Sequence, residues 1–194
     1  GQNVTNAVLK VENKIRTIKS NAFNNNRDWI KYATLASYDI GSSSFANQAN
    51  LIDVYIRDTN KFVRFRAFEN CTSLRDLRIG KWTRQVGDNA FVNCGITGDI
   101  KFRAGVTAGS STLKIYNDAF GGTNNKPRNV YLNGDYWDGV SATSSDSYVD
   151  FRNITWPVNM SGAFYVTGDG WTTGESAGPH GKPVRQWTTY PNSV

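Results

Sequence analysis

The chain has 194 residues, of which 39% are hydrophobic, 13% aromatic and 20% charged. This length suits one domain, or one domain with an appendage, and the apolar content excludes a disordered chain. No apolar run approaches the ~18 residues that a membrane-spanning helix needs, and the formal net charge of +6 favours an acidic partner if the charges share one face.

The excess of positive charge belongs to the first two thirds of the chain. Residues 1–133 hold 19 of the 22 Lys and Arg residues and 10 of the 16 Asp and Glu residues, whereas residues 134–194 are net acidic. The change in composition predicts two parts, a repeat region over residues 1–133 and a second region over residues 134–194.

A small residue followed by Phe recurs in the first part, at spacings of 22, 23, 23 and 29 residues. This period lies in the ~20 to 29 residue range of leucine-rich repeats. The repeated aromatic residues are Phe23, Phe45, Phe68, Phe91 and Phe120. Five residues before each of them stands a second apolar residue, and this set is Ile18, Ile40, Val63, Val86 and Ile115. The shared register predicts coils that stack and cover one another's apolar edges.

An alternating apolar pair, typical of a half-buried strand, follows the three middle Phe residues after nine and eleven residues. The regular pairs are Val54 with Ile56, Leu77 with Ile79, and Ile100 with Phe102. In the first unit Trp29, Tyr32 and Thr34 occupy the aliphatic slots, and in the fifth Val130 and Leu132 come one residue late. We therefore predict an α/β solenoid, a right-handed leucine-rich repeat array of about five 22–23-residue units whose Ala-Phe segments are short turns or helical pieces.

Two of these units, VRFRAFENCTSLRDLRI and RQVGDNAFVNCGITGDIKF, carry a central Ala-Phe, then Asn-Cys, then the strand. Over residues 8–133 the pattern resembles the BspA-like leucine-rich repeats of bacterial cell-surface and secreted proteins. The resemblance implies a curved solenoid that acts in adhesion or protein recognition, outside the cytoplasm, with no catalytic residues common to the family.

Cys71 and Cys94 occupy the same position on adjacent units. Parallel side chains make poor disulfide geometry, so reduced buried thiols are favoured over a bridge. Two Cys residues and one distant His do not supply a metal site, so we expect neither metal nor cofactor. The Asn residues one place before each Cys slot share a register that predicts a structural amide ladder, and they are Asn25, Asn47, Asn70 and Asn93.

The outward strand positions carry cations with an aromatic residue at either end. They are Tyr55, Arg57, Arg78, Lys101, Arg103 and Tyr131. We predict that this stripe binds a host or matrix protein or an anionic glycan, because Arg offers a planar fork of hydrogen-bond donors. The alternative is a set of solubilising charges on an exposed sheet. Only charge supports nucleic acid, since no nucleic-acid-binding motif is present.

Beyond Asn133 the period ends, and the stretches YVDFRNITW, GAFYVTG and PVRQWTTY predict strands separated by Gly and Pro turns. We expect a β-rich aromatic cap in which some Trp residues cover the last coil. The alternative is a small carbohydrate-binding module that uses Trp137, Trp171 and Trp187.

Catalytic motifs are absent from the sequence: His180 is the only histidine, and no nucleophile elbow or phosphate loop occurs. A weak glycosidase would have to use Asp169 and Glu175, whose separation the sequence does not fix. We therefore expect a non-catalytic recognition or adhesion protein.

Overall fold

The computed structural model of the protein describes residues 7–24, 29–106, 113–116, 118–122, 124–134, 156–167 and 171–187. In these residues the chain winds through two parallel sheets. The main sheet has eight strands, in the order β1 (Ala7–Val11), β3 (Ile30–Leu35), β5 (Asp53–Ile56), β7 (Asp76–Ile79), β9 (Asp99–Val106), β11 (Asn129–Gly134), β12 (Phe164–Val166) and β13 (Val184–Gln186). The second sheet has five, in the order β2 (Thr17–Ile18), β4 (Asp39–Ile40), β6 (Phe62–Val63), β8 (Gln85–Val86) and β10 (Lys114–Ile115).

The apolar pairs predicted from the repeat face the core of the main sheet. Val54, Leu77 and Ile100 align across β5, β7 and β9, and all are fully buried. The second apolar residue of each unit, five places before the Phe, lies in the second sheet. There Ile40, Val63 and Val86 align and are fully buried as well. One repeat therefore contributes one inward strand segment to each sheet.

The repeated Phe residues form a continuous stack between the sheets. Successive ring centroids lie 4.9 Å apart from Phe23 to Phe45, 5.0 Å at the next two steps, and 5.5 Å from Phe91 to Phe120. These spacings match the ~4.8 Å between hydrogen-bonded strands, so one ring fills one coil. Trp156 continues the stack, with its ring 5.6 Å from that of Phe120 and nearly parallel to it.

Left-handed backbone conformations bracket each Ala-Phe turn. The residue two places before each stacked Phe has a positive φ, as at Arg66 (54°) and Asn89 (55°), and from Phe45 onward so does the residue two places after it, as at Asn70 (59°) and Asn93 (56°). Asn tolerates this region better than most side chains, and Gly122 (φ 90°) takes the same slot after Phe120. Each turn thus reverses the chain within a few residues and leaves no length for an α-helix.

The described residues accordingly contain no α-helix, and their one helical segment is the short 3-10 turn Pro179–Gly181. This part of the protein is a parallel β-solenoid, and the helical alternative for the Ala-Phe segments, with the α/β description that rested on it, finds no support there. Within it, no helix has the length and apolar character to cross a bilayer.

The predicted amide ladder runs along the turns. The Asn70 side-chain amide donates to Asn47 Oδ1 at 3.1 Å, and that of Asn47 donates to Asn24 Oδ1 at 3.4 Å. Asn25, the first predicted member, lies outside the described residues. These bonds join side chains of adjacent coils at the edge of the Phe stack.

The first unit departs from the predicted register. Ala33 and Leu35, and not Tyr32 and Thr34, pair with Val54 and Ile56 and are buried. The segment between Phe23 and β3 is one residue longer than in the regular units, which moves the inward positions to the next residue. Tyr32 is consequently 42% exposed, and Trp29 packs against the core from a partly buried position.

Two stretches of the C-terminal part add strands to the main sheet. GAFYVTG contains β12, which pairs in parallel with β11, and PVRQWTTY contains β13, which pairs in parallel with β12. The stretch YVDFRNITW lies outside the described residues except for Trp156. That Trp is 1% exposed at the end of the Phe stack, where we expected aromatic residues to cover the last coil.

Both cysteines are free and fully buried. The Cys71 thiol donates to the Phe45 carbonyl oxygen at 3.2 Å, and the Cys94 thiol donates to the Phe68 carbonyl oxygen at 2.9 Å. Burial raises the pKa of the Cys94 thiol well above its ordinary value. The two thiols therefore act as core side chains that satisfy the backbone of the preceding coil.

Truncation of one ring in the stack should destabilise the fold far more than truncation of an exposed neighbour. Phe68→Ala opens a cavity between Phe45 and Phe91 and should lower the free energy of unfolding by about 3 to 5 kcal/mol. Phe65→Ala, at a side chain 44% exposed, should change it by less than about 0.5 kcal/mol. Urea denaturation measures both values, and similar losses for the two variants would contradict a stack that carries the core.

The buried thiols should be inert to dithionitrobenzoate in the folded protein and react fully in denaturant. Because burial raises the pKa of the Cys94 thiol, the free energy of unfolding should also depend on pH. Its contribution to stability is fully present below the thiol pKa of the unfolded chain and is lost as the pH rises through the folded value. Prompt reaction of either thiol with the native protein would contradict the burial.

Candidate functional site

The predicted site residues lie on the outward face of the main sheet. Four of them share one register with outward residues of the flanking strands. We call this set the outer row, and it runs Thr34, Tyr55, Arg78, Lys101, Tyr131, Tyr165 and Arg185. Arg57 and Arg103 follow it on the carboxyl side, just after β5 and within β9. The sequence register alone thus placed these side chains on one face of the sheet.

Three guanidinium groups converge on Tyr55. The Arg78 and Arg57 guanidinium carbons lie 4.9 Å and 5.9 Å from the centre of its ring. Arg103, two coils away, donates to the Tyr55 hydroxyl at 3.1 Å. Cations are attracted to the face of an aromatic ring, so Tyr55 holds these groups together despite their like charges.

Carboxylates neutralise part of this positive charge. Arg78 Nη2 lies 2.7 Å from Asp53 Oδ1, and Arg103 Nη1 lies 3.6 Å from Asp58 Oδ2. Arg57 and Lys101 form no such ion pair among the described residues. The face is therefore a mixture of both signs and not the continuous basic stripe that the strand pattern suggested.

A row of aspartates, which the sequence analysis did not single out, lies one step before the outer row. Asp53, Asp76 and Asp99 are aligned at the starts of β5, β7 and β9. Asp99 accepts hydrogen bonds at 3.1 Å from both Arg128 Nε and Arg128 Nη2. The sequence signal was an Asp directly before each regular apolar strand pair, as in DVYI, DLRI and DIKF.

An aromatic cluster lies at the C-terminal end of the outer row. Tyr131 and Tyr165 stack with ring centroids 5.0 Å apart, and Trp187 meets both rings edge-on at 5.9 Å and 5.0 Å. We call these three residues the Tyr-Trp cluster. Burial, and then the nearby Asp99 carboxylate, raises the pKa of the Tyr131 phenol, which therefore remains protonated at neutral pH. Lys101 Nζ lies 5.8 Å from the Tyr131 ring centre.

Clefts open beside both ends of the outer row. One of about 490 Å³ is lined by Lys10, Glu12, Thr34, Tyr55 and Arg57. Another of about 360 Å³ is lined by Asn129, Tyr165, Lys182 and Arg185. Each cleft combines a ring of the outer row with cationic side chains, which suits hydrogen bonding to a carboxylate or a carbonyl oxygen.

A family model described as a BspA type leucine rich repeat region (6 copies) matches residues 38–126. We call residues 38–126, which match this family model, the BspA-type region. The comparisons with curated proteins and with solved structures returned no match. The family match confirms the resemblance seen in the repeat units.

The BspA-type region contains Tyr55, Arg57, Arg78, Lys101 and Arg103. Tyr131 and the rest of the Tyr-Trp cluster lie beyond the matched residues, on strands that continue the same sheet. The outer row thus extends from the BspA-type region into the C-terminal part of the chain.

Trp171 and Trp187, the two described residues of the alternative aromatic site, have different surroundings. Trp187 belongs to the Tyr-Trp cluster, whereas Trp171 packs partly buried against the core and donates its Nε1 hydrogen to the Thr167 carbonyl oxygen at 3.0 Å. Trp137 and Asp169 lie outside the described residues. Glu175, the other carboxylate considered for a glycosidase, forms an ion pair with Arg185 at 3.4 Å.

The ion pairing predicts different structural roles for two cations of the outer row. Arg78→Ser should lower the free energy of unfolding by about 1 to 2 kcal/mol, because it leaves the half-buried Asp53 without its hydrogen-bonded partner. Lys101→Ser removes an equal charge from the next coil and should change stability by less than about 0.5 kcal/mol. Thermal or urea unfolding of the two variants provides the measurement, and equal losses would contradict a structural role for Arg78.

Proposed function

We propose that the protein is a non-catalytic recognition or adhesion protein that acts outside the cytoplasm and binds another protein through the outward face of the main sheet. One observation carries the proposal: the outer row aligns rings and cations across consecutive strands without a helix or a second sheet over them in the described residues. A leucine-rich repeat solenoid is suited to recognition, since its coils present a long regular surface.

The mixture of charges favours a protein partner over a simple polyanion. Arg78 and Arg103 are engaged by aspartates, so the face presents cations, carboxylates and rings together. Protein interfaces are enriched in Tyr, Trp and Arg, and a partner that brings both signs of charge can satisfy such a face. An anionic glycan would meet the repulsion of the aspartate row.

The Tyr-Trp cluster supports a second candidate function, carbohydrate binding. Tyr131, Tyr165 and Trp187 are half-buried, and their rings meet next to a cleft lined by Tyr165 and Arg185. Aromatic rings combine a broad apolar face with a polar edge, which suits a sugar ring. This candidate differs from the first in that it depends on Trp187 and not on the cations of the outer row.

The test is an array of extracellular matrix proteins, sulfated glycans and neutral glycans, probed with paired charge variants. Arg57→Ser with Lys101→Ser removes two outward cations that lack an ion pair in the described residues. Protein binding should then weaken about tenfold, a loss of ~1.4 kcal/mol. The matched control is Lys19→Ser with Lys126→Ser, which removes the same charge at exposed positions outside the outer row.

Three other outcomes would count against the proposal. Equal weakening by the control pair would show that net charge, and not the outer row, governs binding. Binding to neutral glycans that Trp187→Ala abolishes would support the second candidate instead. Absence of binding to every class would leave the charges of the main sheet with a solubilising role.

A further inference from the structure

The second sheet and the segments that flank its strands carry another set of cations and aromatic rings. We call it the lateral face, and its members are Arg16, Tyr38, Lys61, Phe62, Arg64, Phe65, Arg66, Lys81, Trp82 and Arg84. Three of its rings are unusually exposed for their size: Tyr38 at 42%, Phe65 at 44% and Trp82 at 50%. Exposed rings grouped on one side of a protein indicate an interaction surface.

The cations of the lateral face rest against these rings. Lys61 Nζ and Lys81 Nζ lie 4.8 Å and 5.3 Å from the centre of the Trp82 ring. The guanidinium carbons of Arg64 and Arg66 lie 4.4 Å from the Phe62 ring centre and 4.7 Å from the Phe65 ring centre. Contacts of this kind hold long side chains in place, so the positive charges are displayed in fixed positions.

Like charges meet on adjacent coils of this face. Arg84 follows Lys61 by one coil, since its backbone N–H donates to the Lys61 carbonyl oxygen at 2.8 Å. Burial, and then the charge of Arg84, lowers the pKa of the Lys61 ammonium group. A carboxylate placed beside Lys61 would offset this repulsion.

The carboxylates of the chain that lie beside this face leave an excess of positive charge. Asp39 accepts from Arg64 Nε at 2.9 Å and Arg64 Nη2 at 2.8 Å, and Glu69 lies 3.8 Å from Arg66. Asp58 accepts from the Lys81 backbone N–H at 2.8 Å, so with Asp88 there are four carboxylates against the six cations of the lateral face. The face is therefore complementary to an acidic partner.

We propose that the lateral face binds an acidic polypeptide segment that carries apolar side chains between its carboxylates. The carboxylates pair with Lys61 and Lys81, whose ammonium groups lie over the Trp82 ring, and the apolar side chains cover the exposed parts of Phe65 and Trp82. This is a second interaction surface, independent of the recognition proposed for the main sheet.

The rings argue for a polypeptide over an acidic polysaccharide or a single-stranded nucleic acid. Sugars and bases stack on open ring faces, whereas cations lie over the rings of Phe62, Phe65 and Trp82. Phe65 and Trp82 remain largely exposed beside those cations, and a chain of sugars or phosphates offers little apolar surface to cover them.

The test measures, by isothermal titration calorimetry, the binding of a synthetic peptide in which Asp alternates with Leu and Phe. Polyglutamate of the same length and a heparin oligosaccharide of matched charge are the comparison probes. We expect the mixed peptide to bind at least about tenfold more tightly than either. Trp82→Ala with Phe65→Ser should weaken peptide binding about thirtyfold, as expected for buried aromatic anchors, while circular dichroism and thermal unfolding stay close to those of the unmodified protein.

Single charge variants separate a local contact from a general electrostatic attraction. Lys61→Gln should weaken peptide binding about fivefold or more, and Lys126→Gln, at an exposed site away from the lateral face, should leave it unchanged. The proposal is wrong if the peptide does not bind, if heparin binds more tightly and ignores the Trp82 and Phe65 changes, or if both charge variants have the same effect.

Discussion

The stack of one aromatic ring per coil is the constraint on which the rest of the structure depends. From Phe45 to Phe91 the centroids are 5.0 Å apart, close to the ~4.8 Å that strand hydrogen bonding imposes. Because ring stacking and backbone pairing call for nearly the same rise, neither is strained by the other. From Phe45 onward, the left-handed residues on both sides of each turn then bring the chain back to the next coil in the same register.

That register decides where charge and aromatic surface lie. An outward side chain on one coil has its counterpart on the next at one strand spacing, so a ring on one coil can meet a cation on its neighbour, as Tyr55 meets Arg78 and Trp82 meets Lys61. The two sheets differ in the groups that contact their cations. On the main sheet aspartates alternate with the cations and bind them, whereas on the second sheet rings take much of that role and the positive charge remains in excess.

Most of the repeat architecture could be predicted from the sequence, because five Phe residues and their apolar partners keep one register. The same register placed Tyr55, Arg78, Lys101 and Tyr131 on one face. It failed at Tyr32 and Thr34, where one additional residue before β3 moves Ala33 and Leu35 inward. The register could not predict the ion pairs of Arg78 and Arg103, because they join residues 25 or 45 places apart and depend on how the coils stack. Ile18 and its counterparts were recognised as core positions, but the strand they form was not, because two residues are too few for a visible alternation.

The long fifth spacing has a consequence for how such a protein can change. Phe120 follows Phe91 by 29 residues, six more than the regular period, and yet its ring stacks parallel to that of Phe91 at 5.5 Å. The additional residues fall between Arg103 and Lys114, after the inward pair of β9 and before β10. The corresponding point in every other coil is a place where a peptide epitope or a tag could be grafted, and where insertions could accumulate during evolution, without a change in the number or order of the stacked rings.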